Sequence, residues 1–212
     1  MRIPHWLLLA LLAALSACGD AARFEPLPAD SIVLAFGDSI THGTGAARGE
    51  DYPTRLAALS GWRVHNAGIP GDTARAATAR IADALASTSA ALAIIELGGN
   101  DFLRRRPSAE VKEDLRTIIR AARAAGAIPV LVAVPQSSVF GAVTGRLRDD
   151  PIYAALADEE NVLLIEDALA DVLSDAKLRS DLVHPNAEGY RILATQIAEE
   201  LERAGLLRGT AY

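Results

Sequence analysis

The sequence predicts an α/β protein: a three-layer α/β/α domain around a central parallel sheet of about five strands. Three observations predict it. Residues 32–36, 91–97 and 128–134 are short runs, apolar on both faces, with shorter strand candidates at 64–67 and 162–165. Stretches of helical periodicity separate them, which is the alternation of a parallel sheet covered on both sides. Half of the 212 side chains are apolar and 23% are charged, enough material for one well-filled core. No internal repeat and no second domain interrupts the pattern.

From the N-terminus, Arg2 precedes an unbroken apolar run from Trp6 to Leu15. Ten residues at about 1.5 Å each fall short of the roughly twenty that a hydrocarbon core requires. A charged start, a short apolar centre and small residues after it have the layout of an export signal. Cys18, the single cysteine, follows in Leu15-Ser16-Ala17-Cys18. This resembles the lipobox of bacterial lipoproteins, which implies cleavage before Cys18 and lipidation of its thiol. A plain secretory signal that happens to contain a cysteine is the blander reading. On the lipoprotein reading, residues 1–17 are the signal, 18–31 a lipidated N-terminus and tether rich in small residues and proline, and 32–212 the folded domain. The expected location is the cell envelope, facing the periplasm. Gly19 rather than aspartate after Cys18 resembles the sorting pattern of bacterial lipoproteins bound for the outer membrane, which is the membrane this resemblance implies.

The elements follow in order. Ile32 to Phe36 forms the first strand and stops at Gly37; Ala91 to Leu97 and Ile128 to Val134 form later ones. Ser108 to Ala125 repeats Val111, Leu115, Ile118, Ile119 and Ala122 at helical spacing and stops at Gly126. The last helix begins after Pro185 with Asn186 as N-cap, carries Ile192, Leu193, Ile197 and Leu201 on one stripe, and stops at Gly205.

In such sheets ligands sit beyond the carboxyl ends of the strands. Four segments there are unusual. The first strand runs into Gly37-Asp38-Ser39-Ile40, a tight turn that presents a serine. The second leads to Gly68-Ile69-Pro70-Gly71-Asp72-Thr73, with Asp72 or Thr73 as helix cap, or with a backbone N–H turned to an anion. The third ends in Gly98-Gly99-Asn100-Asp101, where Asn100 offers an amide donor. The fourth is Asp181-Leu182-Val183-His184-Pro185-Asn186, where the carboxylate can hold one ring nitrogen and leave the other as a base, or where the pair simply caps a helix. Singly, each is an ordinary turn.

Together, in this order, they resemble the GDSL or SGNH hydrolase family over about residues 32–204, with Ile40 where the family name has leucine. The resemblance is to small bacterial members of the thioesterase/lysophospholipase and arylesterase kind. It implies a flavodoxin-like sheet and a serine esterase. Ser39 would be nucleophile, His184 base and Asp181 its orienting partner, with an oxyanion hole from Ser39, Gly71 and Asn100. Gly68 is the lesser of the two oxyanion glycines, and Asp38 braces the turn. No cofactor and no metal is implied.

Substrate contacts are expected from Phe102 and Arg104, at the start of Phe102-Leu103-Arg104-Arg105-Arg106, and from Val139 and Phe140 in the long segment 135–151. The arginines read either as a solvated run or as a contact to an anionic head group. Val139 and Phe140 either line an acyl groove or pack within their own loop. The expected partners are a small-molecule or lipid ester and, through Cys18, a membrane. A formal charge of -6 argues against phosphate-driven binding of nucleic acid. Two alternatives stand beside the esterase: a carbohydrate O-acetylesterase, and a non-catalytic acyl- or glycan-binding lipoprotein.

Overall fold

The computed structural model describes residues 24–136 and 146–209. Cys18, Val139 and Phe140 therefore lie outside the described residues. Five strands form one parallel sheet in the order β2-β1-β3-β4-β5: β1 (Ile32–Gly37), β2 (Arg63–Gly68), β3 (Leu92–Glu96), β4 (Ile128–Val132) and β5 (Leu163–Ile165). Nine helices are described between and after them: α1 (Ser39–His42), α2 (Tyr52–Ser60), α3 (Ala74–Ala77), α4 (Ile81–Thr88), α5 (Gly99–Leu103), α6 (Ser108–Ala124), α7 (Ile152–Glu160), α8 (Ala168–Ser174) and α9 (Ala187–Arg203).

Parallel strands need right-handed crossovers, and the packing follows. Helices α2, α8 and α9 pack together on one face, while α3, α4 and α7 pack against α6 on the other. β3 is buried along its whole length and β1 and β4 nearly so, because each has a strand on either side and helices on both faces. β2 departs from that pattern. Arg63, His65 and Asn66 are exposed on it, since it is an edge strand.

The two longest helices form as their patterns predict. α6 buries Val111, Leu115, Ile118, Ile119 and Ala122. α9 starts where the Asn186 side chain accepts from the N–H groups of Glu188 and Gly189. In the second loop Thr73, not Asp72, caps α3 by accepting from Ala76 N–H. The segment read as a tether is docked from Phe24 onward. Phe24 N–H donates to Ala204 and Leu27 N–H to Leu206, and both side chains pack against the core. Their apolar area favours that contact over solvent.

The strand order reverses direction between β1 and β3: the chain steps from β1 outward to β2, then crosses back to β3. The carboxyl ends of β1 and β3 flank the resulting crevice. Ser39 follows the first and Asn100 the second.

Candidate active site

The crevice is built by close backbone approach. Gly37 ends β1, and any Cβ there would collide with Thr41 and with the carbonyl of Glu96 on the neighbouring strand. Asp38 then turns the chain: its Oδ1 accepts from Ile40 N–H at 3.0 Å and caps α1. Ser39 thus occupies the first helical position, and among the described residues no acceptor meets its N–H. Gly98, at φ +122°, packs where a Cβ would strike the Tyr153 hydroxyl, which donates to the Leu97 carbonyl at 2.7 Å. That turn delivers Asn100, whose Nδ2 donates to Asp38 Oδ2 at 2.9 Å.

His184 comes from the loop before α9. Asp181 Oδ1 accepts from the N–H groups of Val183 and His184, both at 2.8 Å, so the carboxylate shapes its own turn. Its Oδ2 lies 2.8 Å from His184 Nδ1, and His184 Nε2 lies 3.0 Å from Ser39 Oγ. The Tyr190 hydroxyl, from α9, donates to the Thr44 carbonyl just past α1 and ties the histidine loop to the serine turn. Burial alone would push the Asp181 carboxyl up, but the His184 ring and the two N–H groups outweigh it and hold it below the ordinary range. A carboxylate, an imidazole and a hydroxyl in one chain can transfer a proton from the hydroxyl to the ring.

These groups open on a cavity of about 470 Å³. Ser39, Asn100 and His184 line it, with Asp38 and Glu96 at its base and an apolar wall that includes Phe102, Leu103, Leu147, Leu169 and Leu182. A wider, shallow groove of about 660 Å³ between α4 and α6 is lined mostly by alanines, with Leu85, Ser89 and Gly126. Ser89 is the one polar side chain in its lining, with no titratable side chain beside it.

The remaining expected residues divide. Phe102 lines the cavity. Arg104 does not: its Nη2 donates to the Gly71 carbonyl at 3.0 Å, while Arg105 takes the place at the cavity wall. Arg106 turns to the buried Asp101 and to Asp114. One run of three arginines is split three ways because α5 ends at Leu103 and Arg105 adopts φ +57°. Gly71 sits in a turn at φ +81°, and among the described residues no acceptor meets its N–H, although it is not itself part of the cavity lining. Gly68 is otherwise engaged, since its N–H donates to Asn66 Oδ1 at 2.9 Å.

One feature escapes a reading by motif. Glu96, 1% exposed, lies at the cavity base beside Asp38, which is 2% exposed. Burial pushes the Asp38 carboxyl up to about 6 against the opposing pull of Ile40, Asn100 and His184. Burial, then the Asp38 charge, pushes the Glu96 carboxyl well above its ordinary value. The available signal was a single glutamate in the otherwise apolar run Ala91-Leu92-Ala93-Ile94-Ile95-Glu96-Leu97.

Residues 35–192 match the GDSL-like Lipase/Acylhydrolase family. The chain belongs to that family. Two relatives of this GDSL-like chain are the thioesterase 1/protease 1/lysophospholipase L1 of Escherichia coli K12 and the esterase TesA of Pseudomonas aeruginosa. The first is 29% identical over 184 residues, covering 84% of this chain and 86% of the relative. The second is 31% identical over 179 residues, covering 81% and 88%. Among solved structures, that of TesA aligns at a TM-score of 0.70 with 29% identity, over 82% of this chain and 99% of the other. The esterase EstA of a Pseudoalteromonas species, at 22% identity, shares the fold with a TM-score of 0.72, over 82% and 98%.

Proposed function

We propose that this GDSL-family hydrolase is a serine esterase of carboxylic esters and thioesters, aryl and acyl esters or lysophospholipids among them. The continuous path Asp181–His184–Ser39, opening on an apolar cavity beside Asn100, carries the proposal. Ser39 Oγ attacks the ester carbonyl while His184 Nε2 takes its proton. The carbonyl electrons move onto oxygen, where the N–H groups of Ser39 and Gly71 and the Asn100 amide receive them. Collapse of the adduct breaks the bond to the leaving alcohol or thiol, which takes the proton from His184. Water, deprotonated by the same nitrogen, then attacks the acyl-serine; the acyl–Oγ bond breaks, His184 returns the proton to Ser39 Oγ and the acid leaves. Asp181 orients the ring and stabilises its charged form. Leu103, Leu147, Leu169 and Leu182 suit an acyl chain, and the names of the relatives agree with that class.

Fluorophosphonate labelling tests the reading. Ser39 should be the labelled residue, and Ser39→Ala should fall to background turnover while its circular dichroism is unchanged. Label on another residue, or turnover that survives in Ser39→Ala, would move the nucleophile elsewhere. Loss of the amide in Asn100→Ala should cost about 100-fold in kcat. We also propose that Cys18 is lipidated and holds residues 32–212 at the cell envelope. Mass spectrometry of membrane-extracted protein should find an acylated N-terminus at Cys18, and a soluble product indifferent to Cys18→Ala would rule it out.

A further inference from the structure

Beneath the serine lie two carboxyl groups that the proton path Asp181–His184–Ser39 does not use. Asp38 spends both oxygens on the site, Oδ1 on Ile40 N–H and Oδ2 on the Asn100 amide. Glu96 is placed differently. Its Oε2 accepts from the Thr41 hydroxyl at 3.0 Å, and Thr41 Oγ1 in turn lies 3.1 Å from the Tyr52 hydroxyl. Among the described residues its Oε1 is buried and meets no hydrogen-bond partner, and the backbone N–H groups of Thr41 and Asp38 near the carboxyl only partly offset its burial. Among the described residues neither carboxyl has an ion-pair partner. The groups facing the pair are neutral or negative, apart from two. Tyr52, Tyr153 and Tyr190 neighbour the pair, Asp72 acts on Asp38 as a like charge, and His184 is the one titratable base acting on Asp38. Arg80 is the nearby fixed cation, but it is spent on the carbonyls of Ala67 and Gly37 and on Asp72.

A lone ionised carboxylate cannot be held this way. Removing a charge from water without a counterion costs several kcal/mol even after relaxation, and a second negative charge alongside adds to it. An uncharged carboxyl removes both costs: with its proton on Oε2 the bond to Thr41 reverses, Oε2–H donating to Thr41 Oγ1 and that hydroxyl to Tyr52, and Oε1 is then only an unfilled carbonyl acceptor.

We propose that Glu96 is a protonated acid in the working enzyme, and that by staying neutral it keeps the single negative charge of the pair on Asp38, where it positions Asn100 and the Ser39 turn. Glu96 is a positioning residue, acting through Asp38. Its effect on rate rests on the esterase reading, in which Asn100 receives the oxyanion. Its protonation does not. Loss of the Glu96 proton at alkaline pH would put two like charges at the cavity base and disturb the amide that Asp38 holds. The same buried proton explains why the neighbouring polar groups are hydroxyls rather than cations: each can donate or accept as the pair requires.

Infrared spectroscopy of the full chain at neutral pH, with carbon-13 placed in glutamate or in aspartate, reads the proton directly. The expected result is a carbonyl stretch of a neutral carboxylic acid that shifts with the glutamate label, ignores the aspartate label and disappears in Glu96→Gln. No such band, or one that follows only the aspartate label, overturns the proposal, and the wild-type spectrum decides it even if a variant does not fold. On activity, Glu96→Ala should lower kcat, and the neutral isostere in Glu96→Gln should restore it at neutral pH while abolishing the alkaline fall of the wild-type profile. A glutamine variant as impaired as the alanine one at every pH overturns it too. Ser39→Ala turnover tests the serine mechanism separately, so failure of one reading is not mistaken for failure of the other.

Discussion

Glu96 and Glu160 both expose little surface, 1% and 8%, yet Glu96 lies deep in the protein while Glu160 is covered by long arginine side chains at the surface, and their surroundings are opposites. Glu160 ends α7 and meets the guanidinium groups of Arg116 at 3.0 Å, Arg120 at 2.8 Å and Arg123 at 3.4 Å, which brings its carboxyl down to about 2. Glu96 meets a threonine hydroxyl, and its carboxyl is pushed up. The α6–α7 contact answers its charge with fixed charge, as a structural ion pair must. Among the described residues the crevice answers its charge with none. Burial of an acid is thus a poor guide to its role. Whether a cation was supplied separates an acid that fastens two helices from one whose protonation matters to the site.

The sharpest way to break that contrast is at Asp38. In Asp38→Asn the new amide can keep its oxygen on Ile40 N–H only by turning its NH₂ toward the NH₂ of Asn100. Two donors then face each other, and the oxyanion amide is displaced. We expect kcat to fall about 100-fold, the scale of losing one oxyanion donor, in a protein that remains folded by circular dichroism. A variant with wild-type kcat would mean that Asp38 only braces the turn.

The converse change is Glu160→Ala. It removes the acceptor shared by three arginines, two of which can turn to solvent because Arg120 and Arg123 are about half exposed or more. A cost of about 2 kcal/mol follows, below that of breaking a fully buried pair. For a chain of this size that lowers Tm by roughly 4–8 °C. kcat/KM should not change. A rate loss here, without one at Asp38, would invert the contrast.

How much of this the sequence carried depends on what a local pattern can see. Ser39 and Asn100 stood out because each follows an apolar run, but they, Asp181 and His184 were legible as a candidate site only together, since their order resembles the family's while each turn alone is ordinary. The sheet order was not legible. It is set by which crossovers pack, and local periodicity does not record that. The arginines at 104–106 are adjacent in sequence, and their three destinations are fixed by where α5 ends and by the positive φ of Arg105. Glu96 was visible as a charge in an apolar strand, but its missing counterion is a tertiary fact. Phe24 and Leu27 read as part of a tether because two apolar residues among prolines make no period, though together they dock on the end of α9.

The subtlest expected effect is the sign of stability against pH at the two buried acids. Glu160 has its folded value below 4.5, so it stabilises fully above 4.5 and loses that contribution as pH falls from there to about 2. Glu96 has its folded value raised above 4.5, so its contribution is complete below 4.5 and is lost as pH rises through the folded value. Asp38 acts in the same sense, between 3.8 and about 6. One proton of difference between folded and unfolded states changes stability by at most about 1.4 kcal/mol per pH unit. The solvent around Arg120 and Arg123 screens the Glu160 slope to less than that. Urea unfolding across pH should therefore give a dome. Glu160→Gln should flatten its acid flank and leave the other intact. Glu96→Gln should flatten the flank that falls above 4.5, so that the variant gains on the wild type as pH rises. If it instead lost stability uniformly at all pH values above 4.5, Glu96 would be an ionised partner in the fold, and the difference between the two acids would be one of degree.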